Sequence, residues 1–395
     1  MLHSVNREAL EELGYDYAYE RLPCPSIFPN LASLTLFEFE WDAHWLAQLS
    51  CLPQLRELFL SCSGGRGPLS LLQLPALPAL TELTVRLPFQ STLRVVLWPT
   101  LPVLQKLTVD SRGEVEIVAV GEVPDLQAAA GVAEGPAALA APAAPAAASQ
   151  QTAVTPCAIH TLQLGGSHVT VDFGTLPALR ELNLWGCGAV VGASTLAGAC
   201  ALRSLHIDGT GMYGGVHSPL TAGWVTELLR AAPPSLHSLH MQGLWGPQQA
   251  EVVGGMTQLR LLALDADGVD DLAAAASLQD SVPPADGVLW RSLSAMLWYG
   301  KVPLPEALRG ATQLQLLSYS TSIPTLLELD LLAALPALKR LWVRTDAETE
   351  EEDERIHKVF RRHLPHLRQV KMWVDDDSGF WDAALTRLKI GPGAE

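Results

Sequence analysis

One arrangement of apolar and polar positions recurs along the chain. Its fullest spelling is L-P-x-L-x-x-L-x-L. It reads LPQLRELFL at 52–60, LPALTELTV at 77–85 and LPVLQKLTV at 101–109, then LPALRELNL at 176–184, LPALKRLWV at 335–343 and LPHLRQVKM at 364–372. Looser copies fill the gaps: FPNLASLTL at 28–36, CAIHTLQL at 157–164, CALRSLHI at 200–207 and PSLHSLHM at 234–241. Three more are TQLRLLAL at 257–264, RSLSAMLW at 291–298 and TQLQLLSY at 312–319. The first apolar residue of each L-x-x-L-x-L sets a register: Leu31, Leu55, Leu80, Leu104, Ile159, Leu179, Leu202, Leu236, Leu259, Leu293, Leu314, Leu338 and Leu367. The steps run from 20 to 34 residues, apart from one of 55.

The pattern specifies local structure. In L-x-x-L-x-L the last two apolar residues stand two apart, on one side of a short strand, and the x residues point the other way. One such strand cannot bury its leucines alone. Stacked copies form a parallel sheet whose inner side the return segments cover. The proline ahead of many copies stops the preceding segment. Returns at Trp41–Leu49, Thr221–Ala232, Leu326–Leu335 and Thr349–Leu364 are expected to be helical; in the last, Ile356, Val359, Phe360 and Leu364 fall at helical spacing. Other returns have room only for a turn or a 3₁₀ segment. Residues 113–120, GEVEIVAV, alternate and are expected to add a strand.

Thirteen copies, mostly at steps in or near 20–29 residues, resemble the leucine-rich-repeat family from about residue 27 to 375. The resemblance implies an α/β solenoid, a curved horseshoe of about thirteen repeats with a parallel sheet on its concave face. Extracellular plant-type members carry Asn nine positions into the unit. Here that position holds Phe39, Ser63, Pro88, Arg112, Ser167, Cys187, Thr210, Leu244 and Asp267. Cys187 and Thr210, with Cys200 opening CALRSLHI, are similar to the intracellular cysteine-containing type familiar behind F-box segments in ubiquitin-ligase receptors. An F-box needs a helical segment of about 40–50 residues, more than residues 1–26 offer. The function implied is a non-catalytic intracellular scaffold that binds another protein on the concave sheet face. Its alternatives are the substrate-reading subunit of an F-box-type ubiquitin ligase with a missing or degenerate F-box, and a structural component of a cytoskeletal or axonemal assembly.

Five segments follow from this reading. Residues 1–26 form an N-terminal capping segment, 27–125 a first block of repeats and 157–375 a second, with 376–395 as a tail. Between the blocks, 126–156 is Ala/Pro-rich; Pro136, Pro142 and Pro145 break any alanine helix into short pieces, so a flexible loop or linker is expected. The acidic run Glu348–Glu354 suits the positive first turn of the Thr349–Leu364 helix.

Composition narrows the function classes. With 26 Lys+Arg against 42 Asp+Glu the net charge is −16, which argues against a general phosphate-backbone binder. The six cysteines include no CxxC pair, so neither a disulfide framework nor a zinc ribbon is expected. Met1–Leu13 lacks a secretory pattern, no Asn opens a glycosylation sequon, and no run of about 18 apolar residues occurs. A monomeric cytoplasmic protein without membrane or nucleic-acid contacts and without a cofactor is the expectation.

Candidate chemistry is sparse. Gly209, Gly211 and Gly214 spell G-x-G-x-x-G after a strand, but Ser218-Pro219 separate them from the following helix and no acidic residue ends the next strand. His206 and His240 occupy one x position in adjacent copies, with Asp208 and Gln242 two residues on. Rungs lie about 4.8 Å apart, so these four cluster on the open face. Metal ligation and acid–base work are the sharp readings; a polar recognition patch is the plainer one. Trp, Tyr and Arg anchor interfaces. The outward positions that carry them or extend the polar set are Trp185, Asp265, Tyr299, Trp342 and Arg344. The candidate partner-binding set is therefore Trp185, His206, Asp208, His240, Gln242, Asp265, Tyr299, Trp342 and Arg344, with no catalytic, cofactor-binding or metal-binding residue.

Overall fold

The structure, a computed structural model, describes residues 30–37, 46–61, 74–87, 92–97, 101–118, 158–209, 223–243, 245–265, 282–283, 287–299, 303–320, 324–345 and 349–373. Strands are numbered in chain order. Thirteen of those described form one parallel sheet. Its first six are β1 (Ser33–Leu36), β2 (Glu57–Ser61), β3 (Glu82–Leu87), β5 (Lys106–Ser111), β7 (Thr161–Gly165) and β9 (Glu181–Trp185). The other seven are β11 (Ser204–Asp208), β12 (Ser238–Gln242), β13 (Leu261–Asp265), β14 (Ala295–Tyr299), β15 (Leu316–Ser320), β16 (Arg340–Arg344) and β17 (Gln369–Trp373).

Pairing follows the leucine register without a slip. Leu34, Leu58, Leu83, Leu107, Leu162 and Leu182 stand opposite one another in turn. The row continues through Leu205, Leu239, Leu262, Met296, Leu317, Leu341 and Val370. A one-residue shift would turn every inward leucine outward, so the apolar pattern itself pins the register. The architecture is an α/β leucine-rich-repeat solenoid.

The L-P-x-L entrance is a β-turn. The N–H of the second leucine donates to the carbonyl of the first: Leu55 to Leu52 at 3.1 Å, Leu179 to Leu176 at 3.0 Å, Leu367 to Leu364 at 3.2 Å. Proline takes the second place of that turn, where its fixed φ fits and no N–H is required. The next rung is stitched on immediately. Arg180 O accepts from the N–H groups of both Arg203 and Ser204, at 2.8 and 3.0 Å, and Arg203 O does the same for His237 and Ser238 at 2.9 and 3.0 Å.

The longest step does not break the sheet. β7 pairs directly with β5, from Lys106 opposite Thr161 to Asp110 opposite Gly165. The expected strand at 113–120 is β6 (Glu114–Val118), and it belongs to a second sheet. This sheet joins β4 (Leu93–Val96), β6, β8 (His168–Val171) and β10 (Ala189–Val191), in the order β10-β8-β6-β4 and all parallel. Leu93, Val95, Val115, Ile117, Val169, Val171 and Val190 point inward and are buried.

From β11 onward the returns include helices. They are α1 (Gly223–Arg230), α2 (Pro247–Gly254), α3 (Val288–Ser292), α4 (Leu326–Ala333) and α5 (Glu350–His363). Three lie where the apolar spacing places them; α2 and α3 are additional. The expected helix at Trp41–Leu49 is described only from residue 46, and Gln48–Cys51 is a 3₁₀ turn. α4 opens on a reciprocal cap: Thr325 Oγ1 accepts from Glu328 N, and Glu328 Oε2 accepts from Thr325 N at 2.8 Å. α5 starts at Thr349, whose hydroxyl accepts from Glu352 N, and ends on Arg361, Arg362 and His363, which suits the negative end of its dipole. Val225, Leu228, Leu229, Val253, Leu329, Leu332 and Phe360 carry these helices onto the leucines of the sheet's inner side. The 1–26, 126–156 and 376–395 segments lie outside the described residues, as do Gly211, Gly214 and Asp375–Asp377. No helix among the described residues is long and apolar enough to cross a membrane.

Candidate functional site

The x residues of each rung make the open face of the sheet, and its polar groups change character along the stack. From β1 to β9 they pair across rungs. Ser33 Oγ donates to Glu57 Oε2 at 3.1 Å, Lys106 Nζ to Glu82 Oε2 at 3.3 Å, Thr108 Oγ1 to Gln163 Oε1 at 3.1 Å and Thr161 Oγ1 to Glu181 Oε2 at 3.3 Å. Phe37 and Phe59 lie 5.2 Å apart, and the Arg86 guanidinium sits 5.4 Å from the Phe59 ring centre. These are ordinary cross-strand couples that stabilise a solvated sheet.

Three polar atoms on β9 and β11 lack such a couple. Asn183 Oδ1, Trp185 Nε1 and His206 Nε2 are shielded from water and meet no hydrogen-bond partner among the described residues. Leaving a buried polar group unmatched costs about 1–3 kcal/mol. Trp185 is half-buried. Its indole lies against Gly165 in the preceding rung: a Cβ placed on residue 165 would come 2.2 Å from Nε1 and 2.7 Å from Cε2. Gly165 and Trp185 are direct register partners, so the missing side chain of one makes the bed for the other. Gly186, next in sequence, turns the chain away from the strand end with φ 62°, a left-handed conformation that favours glycine.

Beside them, His206 and His240 pair in register and stack with ring centres 4.0 Å apart and 21° between planes. Burial lowers the His206 pKa, Asp208 opposing; burial also holds His240 down to about 3, with His206 adding to the shift. Both imidazoles are therefore neutral at physiological pH. Asp208, Gln242 and Asp265 follow one another in register at the strand ends, half-buried. Burial pushes the Asp265 carboxyl up to about 6, with Arg344 pulling it back and Asp208 adding to the rise. No group of three or more His, Cys, Asp or Glu side chains among the described residues is placed to hold a metal ion.

The far part of the face is apolar and closed. Leu261, Ala263, Ala295, Leu297, Tyr299, Leu316 and Trp342, all on β13 to β16, form a cluster of buried residues separate from the leucine core. Tyr299 is 1% exposed and Trp342 4%. The Tyr299 hydroxyl is 2.7 Å from Ser318 Oγ, and burial raises its pKa above the usual tyrosine value. Tyr299 and Trp342, expected as outward-facing anchors, are buried in one cluster with Leu261, Ala263, Ala295, Leu297 and Leu316. The large apolar side chains that are exposed lie elsewhere, at Phe37, Val191, Leu326 and Leu327 among others.

Of the nine expected residues, the structure thus brings Trp185, His206, Asp208, His240, Gln242 and Asp265 into one contiguous patch over β9, β11, β12 and β13. Tyr299 and Trp342 belong to the closed cluster, and Arg344 is linked to the patch through Asp265. Two participants stand in the outward columns of the sequence but outside the nine expected residues. Asn183 stood in the same outward column as His206, and Gly165 in the same column as Trp185; a glycine beside a tryptophan in one column was the signal available.

No family model matches the chain. No curated protein matches it either. Among solved structures, it is similar to an internalin from Listeria monocytogenes at 15% identity and TM-score 0.36, over 87% of this chain and 82% of that one. A leucine-rich-repeat protein from Leptospira interrogans aligns at 14% identity and TM-score 0.25, over 89% of this chain and 85% of that one. The fold assignment rests on the in-register rungs of the chain itself.

Proposed function

We propose that this protein is a non-catalytic scaffold that binds another protein on the open face of its sheet, centred on Trp185, Asn183, His206 and His240. One observation carries the reading. On the adjacent rungs β9 and β11, Asn183 Oδ1, Trp185 Nε1 and His206 Nε2 are shielded and meet no hydrogen-bond partner among the described residues. An enzyme reading lacks support, because the two histidines are neutral, stacked on each other and, among the described residues, without a metal-binding set. We place the protein in a reducing compartment as a monomer. The free thiols Cys51, Cys187 and Cys200 favour that compartment.

The test is proximity labelling in cells with the full chain and a Trp185→Ala, His206→Ala, His240→Ala variant. The reading expects a defined set of neighbours that the variant loses while a surface control, Glu57→Ala with Glu82→Ala, retains it. An unchanged set in a folded triple variant would remove this face from the function.

A further inference from the structure

We infer that the molecule has a second docking surface, the rim of the main sheet where its strands begin, and that the occupant is an Asp/Glu-rich stretch of a partner protein. This goes beyond the scaffold reading and uses none of the patch residues over β9 to β13.

The direction of the rungs builds the rim. All strands of the main sheet are parallel, and from β11 onward each helix ends shortly before the next entrance turn. A helix end favours cations and a helix start favours anions. The charges follow that rule. The last turns of α1, α3 and α5 hold Arg230, Arg291, Arg361 and Arg362. The first turns of α4 and α5 hold Glu328, Glu351 and Glu352. Because the units stack in one direction, each sign collects on its own rim.

The residue ahead of each strand adds to the basic side. Arg203 O accepts from His237 N, His237 O from Arg260 N and Lys339 O from Arg368 N, at 2.9, 2.8 and 2.9 Å. These positions therefore stack at about 4.8 Å per rung. No Asp or Glu precedes any of the thirteen strands. The rim is densest at β16 and β17. There Lys339, Arg340, Arg361, Arg362 and Arg368 are all exposed, and none of them pairs with a carboxylate among the described residues. The carboxylates of α4 and α5, Asp330 among them, lie a turn or more back from the helix ends.

The charge of the whole chain selects the occupant. Five cations at one end of a protein of net charge −16 suit a partner with a few negative charges in a short length. Duplex nucleic acid carries about one charge per 1.7 Å, and the acidic remainder of the protein repels it. The one exposed aromatic ring among the described residues is Phe37 on β1, at the opposite end of the sheet, so no platform for bases accompanies these cations. Exposed apolar side chains that a membrane surface would take up, Val288, Leu326 and Leu327, stand in the first turns of α3 and α4, on the other rim. Arginine, four of the five cations, offers a carboxylate two parallel N–H groups.

The experiment measures fluorescence anisotropy of a short labelled peptide of alternating Asp and Glu against the full chain, with the Asn/Gln counterpart as control. The acidic peptide is expected to bind, and to lose about tenfold or more in affinity as salt rises from about 0.1 M to about 1 M. Arg361→Glu with Arg362→Glu and Arg368→Glu is expected to abolish binding. Arg361→Lys with Arg362→Lys and Arg368→Lys, which keeps the charge and loses the fork, is expected to weaken it about threefold. Arg56→Glu, ahead of β2, is expected to change nothing. All these side chains are exposed, so an unchanged urea midpoint is expected; should the charge reversal unfold the protein, Arg361→Gln with Arg362→Gln and Arg368→Gln gives the same test.

The inference is overturned if the Asn/Gln peptide binds as well, or if the folded reversal variant binds unchanged. It is equally overturned if single-stranded DNA or phosphatidylserine vesicles at equal charge displace the acidic peptide. The Trp185→Ala, His206→Ala, His240→Ala variant is expected to bind the peptide like the parent. Loss of the peptide in that variant would remove the separate rim site, whereas a cellular partner set lost only there leaves the scaffold reading standing on the open face.

Discussion

Cys187 shows how much a single residue owes to its place in the stack. It fills the ninth position of its repeat, faces inward, and its thiol lies 3.6 Å from Leu164 O of the preceding rung. Burial pushes its pKa up to about 12. The thiolate is the reactive form, so in the native protein Cys187 is expected to resist iodoacetamide while Cys51 and Cys200, both exposed, are modified; mass spectrometry of the labelled peptides decides it. The patch carries a second residue-level expectation. His240 protonates only near pH 3 in the fold but at 6.5 when unfolded, so its share of stability is lost as pH falls from about 6.5 toward 3. His206 acts in the same direction. Asp265 opposes them: its carboxyl keeps its proton up to about 6 in the fold and loses it at 3.8 when unfolded, so its share is present below 3.8 and lost as pH rises through 6. The urea midpoint is expected to fall between pH 6.5 and 4.5. Asp265→Asn should steepen the fall, and His206→Gln with His240→Gln should flatten it; equal slopes in all three proteins would refute the assignment. These residues were legible as a cluster from column and register alone. Their burial was not, since it depends on neighbours a repeat pattern does not specify.

At the scale of elements, the apolar seam and the caps carry the stability. Leu338 opens the β16 rung, follows its proline turn and is 2% exposed. Leu338→Ala is expected to cost about 2–5 kcal/mol, the range for truncating a buried leucine, measured by urea unfolding. Thr325→Ala removes one arm of the α4 capping box and should cost about 1 kcal/mol, with Thr325→Ser largely restoring it. A loss from Thr325→Ala as large as that from Leu338→Ala would mean that α4 is held by its cap more than by the leucines it covers. The rung strands were readable because each repeats the same spacing. The second sheet was readable only at β6. Its strands run three to five residues, too short for alternation to stand out singly, and only stacking makes Leu93–Val95, Val115–Ile117 and Val169–Val171 a common row. α2, spelled PQQAEVVG between glycines, offers little periodicity; the buried bond from Gln249 Nε2 to Thr226 Oγ1 of α1 helps to place it.

For the whole molecule, the direct pairing of β5 with β7 means that the sheet does not depend on the Ala/Pro-rich residues between them. Deleting residues 126–150 is expected to leave the circular dichroism spectrum and the urea midpoint nearly unchanged, because loop length enters stability only logarithmically. Two separate unfolding transitions after the deletion would contradict a continuous stack. The stack itself was determined by the sequence alone. Each rung buries its own leucines at fixed offsets, and thirteen repetitions of one local rule leave a single register in which every apolar side faces inward. The open face obeys no such rule. Its outward residues differ from rung to rung, so their neighbours come from other repeats. Whether Trp185 stands free or lies on Gly165, and whether Tyr299 and Trp342 meet solvent or apolar side chains, is decided only when the rungs assemble.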